Sequence, residues 1–138
     1  MEDSTAALSA FDALVKATQH SSWRVRHEAC FALGKLKKSQ ALPSLVKSLK
    51  DTVELVRKSS AFAIGEILKH QSTLTVVEPL QPEQTSLTFN DSLSVETAFN
   101  ALLNSLSDNY YSVRYTAQDA ITKALQEQAA VRIMPASQ

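Results

Sequence analysis

Glycine is scarce in this chain, which has two glycines in 138 residues. A phosphate-binding loop needs several closely spaced glycines, so neither a dinucleotide-binding fingerprint nor a Walker A loop is present. The single cysteine excludes an internal disulfide framework and a zinc site built from cysteines alone, and it fits a reducing compartment. These scarcities remove the phosphate-loop and cysteine-based classes of site.

Charge of one sign is not in excess either, since 14 Lys and Arg balance 14 Asp and Glu. Proteins that bind nucleic acid by neutralising phosphates normally carry a basic excess, so a nucleic-acid partner is not expected. No apolar run approaches the roughly 18 residues of a membrane-spanning helix, and the first residues are acidic, unlike a secretory signal. We therefore expect a soluble, intracellular, cytoplasmic protein without a membrane partner.

What the chain does contain is a repeat. In similar surroundings, the dipeptide Val-Arg recurs at residues 25–26, 56–57 and 113–114, so the second copy follows the first by 31 residues and the third follows the second by 57. An insertion of 26 residues accounts for the longer spacing. Other positions fall in the same register, namely Leu14, Leu45 and Leu102, and Ala32, Ala63 and Ala120.

Each copy has two stretches of helical periodicity, and the second helix of each copy begins its apolar stripe at Val25, Val56 or Val113. One helix pair cannot bury its stripe alone, whereas stacked pairs can. With 44% hydrophobic residues the chain can bury such a core. The predicted fold class is therefore an all-α α-solenoid of three helix pairs in a single domain over residues 5–127. The predicted pairs lie at about residues 5–38, 39–70 and 94–127.

The segment between the second and third predicted pairs, residues 71–93, differs in composition from the repeats. It contains Pro79 and Pro82 and many Ser and Thr, but no Ala, Gly, Lys or Arg. This composition predicts a loop, which is either a tolerated surface insertion or a regulatory or partner-binding segment. Residues 128–138 are predicted to be a flexible tail.

The stretches Val25–Gly34 and Val56–Gly65 both run from Val-Arg through small residues to Ala-Leu-Gly or Ala-Ile-Gly. They resemble the short HEAT-like repeat found in phycobilin lyases and deoxyhypusine hydroxylase. The resemblance covers about residues 8–70 and 94–127 and implies a polar ladder between successive turns. It assigns that role to Asp51 with Arg57 and to Asp108 with Arg114. In the first copy His20 replaces the Asp, so no first rung is implied for Arg26.

The resemblance also raises an enzymatic alternative, a subunit or relative of a phycobilin lyase or of the hydroxylase. The hydroxylase binds two irons through several His-Glu pairs, and this chain has one such pair, His27-Glu28. The equivalent dipeptides, at residues 58–59 and 115–116, are Lys-Ser and Tyr-Thr. We therefore expect no catalytic residue, no metal ligand and no cofactor.

The favoured hypothesis is a non-catalytic adaptor that binds a protein or peptide on the concave face formed by the second helices. Positions four apart share one face of a helix. Phe31 and Phe62 are equivalent and should lie in adjacent repeats, where they are either exposed binding residues or rings that fold inward or lie beneath residues 71–93. The full set of candidate residues is His27, Phe31, Lys35, Lys58, Phe62, Glu66, Tyr115, Asp119 and Lys123.

The neutral total conceals a charge asymmetry. Residues 1–70 carry a net charge of +4 and residues 71–138 a net charge of −4. Such a polar molecule favours a partner of matching asymmetry, or self-association of the basic half of one copy with the acidic half of another.

Overall fold

The computed structural model describes the backbone of residues 2–74 and 85–133 and the side chains of residues 9–71 and 94–126. No residue within these ranges lies in a β-strand, so the all-α prediction is confirmed. A 3-10 turn at Ser39–Ala41 precedes the third helix. The helices are α1 (Glu2–Ala17), α2 (Trp23–Leu36), α3 (Leu42–Ser48), α4 (Glu54–Leu74), α5 (Thr85–Ser105) and α6 (Tyr111–Ile133).

The turn inside each helix pair is closed by one side chain. In every turn a side-chain atom accepts a hydrogen bond, 2.9 Å long, from the backbone amide two residues further on. This bond favours a tight reversal of the chain before the second helix. The acceptor and donor residues are His20 with Ser22, Asp51 with Val53, and Asp108 with Tyr110.

The second helices of the pairs, α2, α4 and α6, pack side by side into one layer, and α3 packs against both α4 and α5. The two glycines lie at the contacts within this layer. A Cβ added at Gly34 would lie 2.7 Å from the Cα of Ala63, and one at Gly65 would lie 2.5 Å from the Cβ of Ala120. Since no side chain fits there, glycine allows neighbouring helices to approach backbone to backbone.

The first repeat lies at an edge of the stack, and this changes its burial. Val25 was expected to be buried and is 37% exposed, whereas the equivalent Val56 and Val113 are fully buried. Among the described residues, the second helix of each later repeat packs against that of the preceding repeat, α4 on α2 and α6 on α4. The burial predicted at Val25 is therefore wrong.

The predicted loop over residues 71–93 is wrong at both ends, because α4 continues to Leu74 and α5 begins at Thr85. Pro79 and Pro82 fall in residues 75–84, which lie outside the described residues. After Pro82 no proline occurs until Pro135, and Ser and Thr lower helix propensity only mildly, so a helix can form from residue 85 onward.

The tail predicted from residue 128 also differs, since α6 continues to Ile133. Residues 134–138 lie outside the described residues.

Candidate functional site

Arginine side chains join each repeat to the next. Arg26 donates to both carboxylate oxygens of Asp51, from Nε at 2.8 Å and from Nη2 at 3.1 Å. Arg57 makes the same forked contact with Asp108, at 2.7 and 3.0 Å. The remaining nitrogen of Arg57, Nη1, donates to the backbone carbonyl of Asp51 at 2.8 Å. Each arginine thus ties the turn of its own repeat to the carboxylate of the next turn.

The ladder runs between successive turns, as the resemblance implies, and contains Asp51, Arg57, Asp108 and Arg114, but neither carboxylate pairs with the arginine of its own repeat. The Asp51 carboxylate pairs with Arg26 rather than Arg57, and the Asp108 carboxylate pairs with Arg57 rather than Arg114. Within a repeat, the short turn brings the arginine to the backbone carbonyl, whereas the carboxylate points towards the preceding repeat.

The first rung is present although His20 replaces the aspartate. Arg26 Nη1 donates to the carbonyl oxygen of His20 at 2.9 Å, a contact that any residue could supply. The His20 side chain closes the turn through the Ser22 amide. His20 therefore supplies the acceptor that closes the turn and the carbonyl oxygen that binds Arg26, and neither contact needs a carboxylate.

The ladder lowers the pKa of both carboxylates. At Asp108 the hydrogen bonds from Arg57 lower the pKa more than burial raises it. At Asp51 burial is the largest influence and raises the pKa, but the bonds from Arg26 and the Val53 amide, with the nearby positive charges, bring it below its ordinary value. Both groups are therefore ionised at neutral pH.

Acid is expected to destabilise the stack through these two carboxylates. A group with a lower pKa in the folded than in the unfolded state stabilises the fold above the unfolded pKa, about 4 for Asp. That stability is lost as the pH falls through the folded pKa. Urea unfolding followed from about pH 7 downward should show midpoints that fall below about pH 4. The fall should be shallower in Asp108→Asn, and an equally steep fall in that variant would contradict the assignment.

Phe31 and Phe62 form a stacked pair at the surface of the second-helix layer. Their ring centroids are 5.2 Å apart and their planes meet at 26°, closer than the spacing of about 10 Å expected between packed helices. Phe31 is 37% exposed and Phe62 is half-buried. Lys35 Nζ lies 4.8 Å from the Phe31 centroid, within range of a cation–π interaction. The rings therefore contact each other instead of entering the core.

A shallow groove runs from Phe62 on α4 to α6. Three of the candidate residues, Glu66, Asp119 and Lys123, line it, and Lys123 Nζ lies 3.1 Å from an Asp119 carboxylate oxygen. Both members of this ion pair are more than a third exposed, so it contributes little to stability. The groove therefore offers an apolar wall at Phe62 beside charges that remain accessible. Its lining residues are Phe62, Gly65, Glu66, Thr116, Asp119, Ala120 and Lys123.

The other three candidate residues are His27, Lys58 and Tyr115. His27 Nδ1 lies 3.1 Å from the carbonyl oxygen of Leu55, so its ring joins α2 to α4. Tyr115 is 57% exposed, with its ring centroid 6.1 Å from that of Tyr111. Lys58 is exposed.

The residues considered for chemistry have other surroundings. Glu28 is exposed and its neighbour His27 faces a carbonyl oxygen. Cys30 is fully buried, and that burial raises the pKa of its thiol, which keeps the thiol protonated at neutral pH. Across the side chains that the structure describes, no three His, Cys, Asp or Glu residues come close enough to hold a metal ion.

Sequence reasoning missed the role of the glycines, although a signal was present. The chain's only glycines, Gly34 and Gly65, occupy equivalent positions, and each faces an alanine of the next repeat. Thr122 stands at the same position in the third repeat. A glycine that recurs inside a helix indicates close helix contact, because it otherwise costs helix stability.

The chain is similar to a known sequence profile and to a solved structure. The sequence profile for HEAT repeats matches residues 5–81, more than half of the chain, while no curated protein matches it. Among solved structures it is similar to the complex of CpcE and CpcF of phycocyanin lyase from Nostoc sp. PCC7120, with 21% identity and a TM-score of 0.46. That match covers 91% of this chain and 56% of the other, so this chain spans little more than half the other's length. Within the described ranges, no helix is long and apolar enough to cross a membrane. With three stacked helix pairs and this profile match, the chain belongs to the HEAT-repeat family.

Proposed function

We propose that this chain is a non-catalytic scaffold that binds a protein or peptide on its second-helix face, centred on the Phe31–Phe62 pair. The observation that carries the proposal is the exposure of this stacked pair. Apolar surface left in water costs roughly 25 cal/mol per Å² relative to burial. A partner that covers the two rings recovers that free energy, and exposed aromatic residues are a recurrent centre of protein interfaces.

The charges around the pair support a polypeptide partner. Lys35 and Lys58 lie on the α2 and α4 parts of the face, and Glu66 lies at the edge of the groove. An apolar centre with a charged rim is the usual anatomy of a protein interface. Because residues 1–70 carry a net charge of +4, the favoured partner segment has an apolar anchor next to acidic side chains.

The architecture supports the same proposal. The layer of α2, α4 and α6 gives a continuous surface across all three repeats, and repeat solenoids present extended concave surfaces to their partners.

Truncation of the pair is expected to abolish partner capture. The full chain is immobilised as the wild type and as Phe31→Ala with Phe62→Ala, and proteins retained from the native source are identified by mass spectrometry. Proteins bound by the wild type should be weakened at least about tenfold in the double variant, since removal of a central aromatic residue typically costs 2 kcal/mol or more.

The matched control is Val25→Ala with Leu36→Ala, which removes two apolar side chains of similar exposure, 37% and 43%, from the same helix as Phe31. These side chains lie on another face of α2, so the control should keep wild-type capture. Circular dichroism checks that both variants remain helical. Equal capture by the wild type and the Phe31/Phe62 double variant would refute the proposed face.

A further inference from the structure

Arg114, in the third repeat, occupies the same position as the ladder arginines Arg26 and Arg57. Arg114 Nη1 donates to the carbonyl oxygens of Asp108 and Asn109 at 2.8 and 3.1 Å, as Arg26 does in the first repeat. Its guanidinium carbon lies 5.7 Å from the Tyr111 ring centroid. Within the described part of the chain, no carboxylate accepts a hydrogen bond from Arg114 Nε or Nη2. Arg114 is therefore oriented by the same carbonyl bonds as the two paired arginines. Among the described residues, its Nε and Nη2 atoms have no carboxylate partner.

Leucines at this end of the stack are exposed where their equivalents are buried. In the second repeat, Leu49 and Leu68 are 8% and 2% exposed and Val46 packs against the core. There α5 packs on α3 and α6 packs on α4. The equivalent residues lie 57 positions later in the sequence. They are Leu103 for Val46, Leu106 for Leu49 and Leu125 for Leu68, and they are 43%, 40% and 49% exposed.

Two tyrosines extend the same surface. Tyr115 is equivalent to His27, whose ring reaches the Leu55 carbonyl of the following repeat, so Tyr115 lies on the side where a following element would pack. Tyr111 is 69% exposed. Tyrosine and arginine are the residues most enriched at the energetic centres of protein interfaces. We call this surface the end face and define it as Leu103, Leu106, Tyr111, Arg114, Tyr115 and Leu125.

We propose that the end face binds a helix pair of a different protein, whose interhelical turn presents an Asp or Glu side chain to Arg114. An acidic side chain on the partner is inferred from charge complementarity with Arg114, because Arg26 and Arg57 in the equivalent position each bind a turn carboxylate. A second copy of this chain does not fit as well. In head-to-tail stacking it would bring His20, which has no carboxylate, to Arg114.

Thr122 distinguishes this interface from the joints inside the stack. It stands where Gly34 and Gly65 allow backbone contact, and a side chain at those positions would overlap the next repeat. The partner helix must therefore lie farther from α6 than α6 lies from α4. The Tyr115 side chain, which is larger than that of the equivalent His27, fills a wider gap, and this suits a separate chain better than another repeat of the same geometry.

A displayed library of stapled helical hairpins, with the turn and one helix face randomised, provides the probe. The hairpins are selected on the immobilised full-length chain. We expect selected hairpins to be enriched in Asp or Glu at the turn, and Arg114→Gln to weaken them by at least about tenfold. Arg114→Lys, which keeps the charge and loses the fork, should restore only part of the affinity.

Two further measurements separate the end face from a folding defect and from the phenylalanine pair. The Nε–H resonance of Arg114 should shift when an acidic-turn hairpin binds and remain in place with the matching Asn- or Gln-turn hairpin. Leu125→Glu, at a position that is 49% exposed, should weaken the hairpins without lowering the unfolding midpoint. Phe31→Ala with Phe62→Ala should leave hairpin affinity unchanged, so failure of this proposal is distinguishable from failure of the proposed function. Failure to recover acidic-turn hairpins that depend on Arg114 would overturn it.

Discussion

Gly65→Ala is expected to lower the free energy of unfolding by about 2 kcal/mol, because one methyl group has no room at the contact of α4 with α6. The new Cβ would lie 2.5 Å from the Cβ of Ala120 and 2.9 Å from its Cα. The nearest atoms belong to helix backbone and to an alanine, which cannot rotate away. Alanine's better helix propensity, worth up to about 1 kcal/mol, offsets part of the strain. Urea denaturation followed by circular dichroism measures the effect.

Thr122→Ala is the matched control for this substitution. It also places alanine at the repeat's glycine position, but the side chain of residue 122 is exposed. We expect no loss of stability and a gain of up to about 0.5 kcal/mol from helix propensity. Equal stability of Gly65→Ala and the wild type would show that the helices do not touch at this glycine.

Arg57→Ala is expected to cost about 2 kcal/mol, since it removes two charge-assisted hydrogen bonds and leaves the Asp108 carboxylate without its cation. That carboxylate is only 12% exposed, so water replaces the lost bonds poorly. The same change also frees the Asp51 carbonyl oxygen, which Arg57 binds from the other side. The second and third repeats should therefore separate at lower denaturant concentration.

Arg114→Ala provides the internal comparison for the ladder. Arg114 occupies the equivalent position and makes the equivalent carbonyl bonds, but among the described residues it has no carboxylate partner. Its removal should cost less than about 1 kcal/mol. In an Asp108→Asn background the cost of Arg57→Ala should shrink, because the two residues share one interaction. Equal costs for Arg57→Ala and Arg114→Ala would contradict the pairing between repeats.

The helix pairs and their register were predictable because the same spacing of apolar and small residues occurs in all three repeats. Val56 and Val113 begin buried stripes as expected, and small residues occupy the contacts between helices. The nine candidate positions were also placed on the second helices correctly. These features depend on local periodicity, which a sequence shows directly.

Features that depend on neighbouring repeats were less predictable. The partner of each turn aspartate is set by the direction of stacking, whereas the resemblance to HEAT-like repeats named the residues of the ladder without fixing which arginine meets which carboxylate. His20 shows the same dependence on neighbouring repeats. Its ring accepts the hydrogen bond that closes the turn, but it has no carboxylate that could bind an arginine. The composition of residues 71–93 hides the helix that begins at Thr85. Pro79 and Pro82 disfavour a helix, but they lie before it, and the Ser and Thr residues that follow them are tolerated in a helix.

Hydrogen exchange measured by mass spectrometry, on the full chain alone and bound to a partner that it captures, tests the proposed binding face most directly. The scaffold proposal predicts slower exchange on binding in residues 27–35 and 58–66, the α2 and α4 segments that carry Phe31 and Phe62. The Val25→Ala with Leu36→Ala control should give the same footprint. Unchanged exchange in both segments, with the protection confined to other helices, would contradict the account.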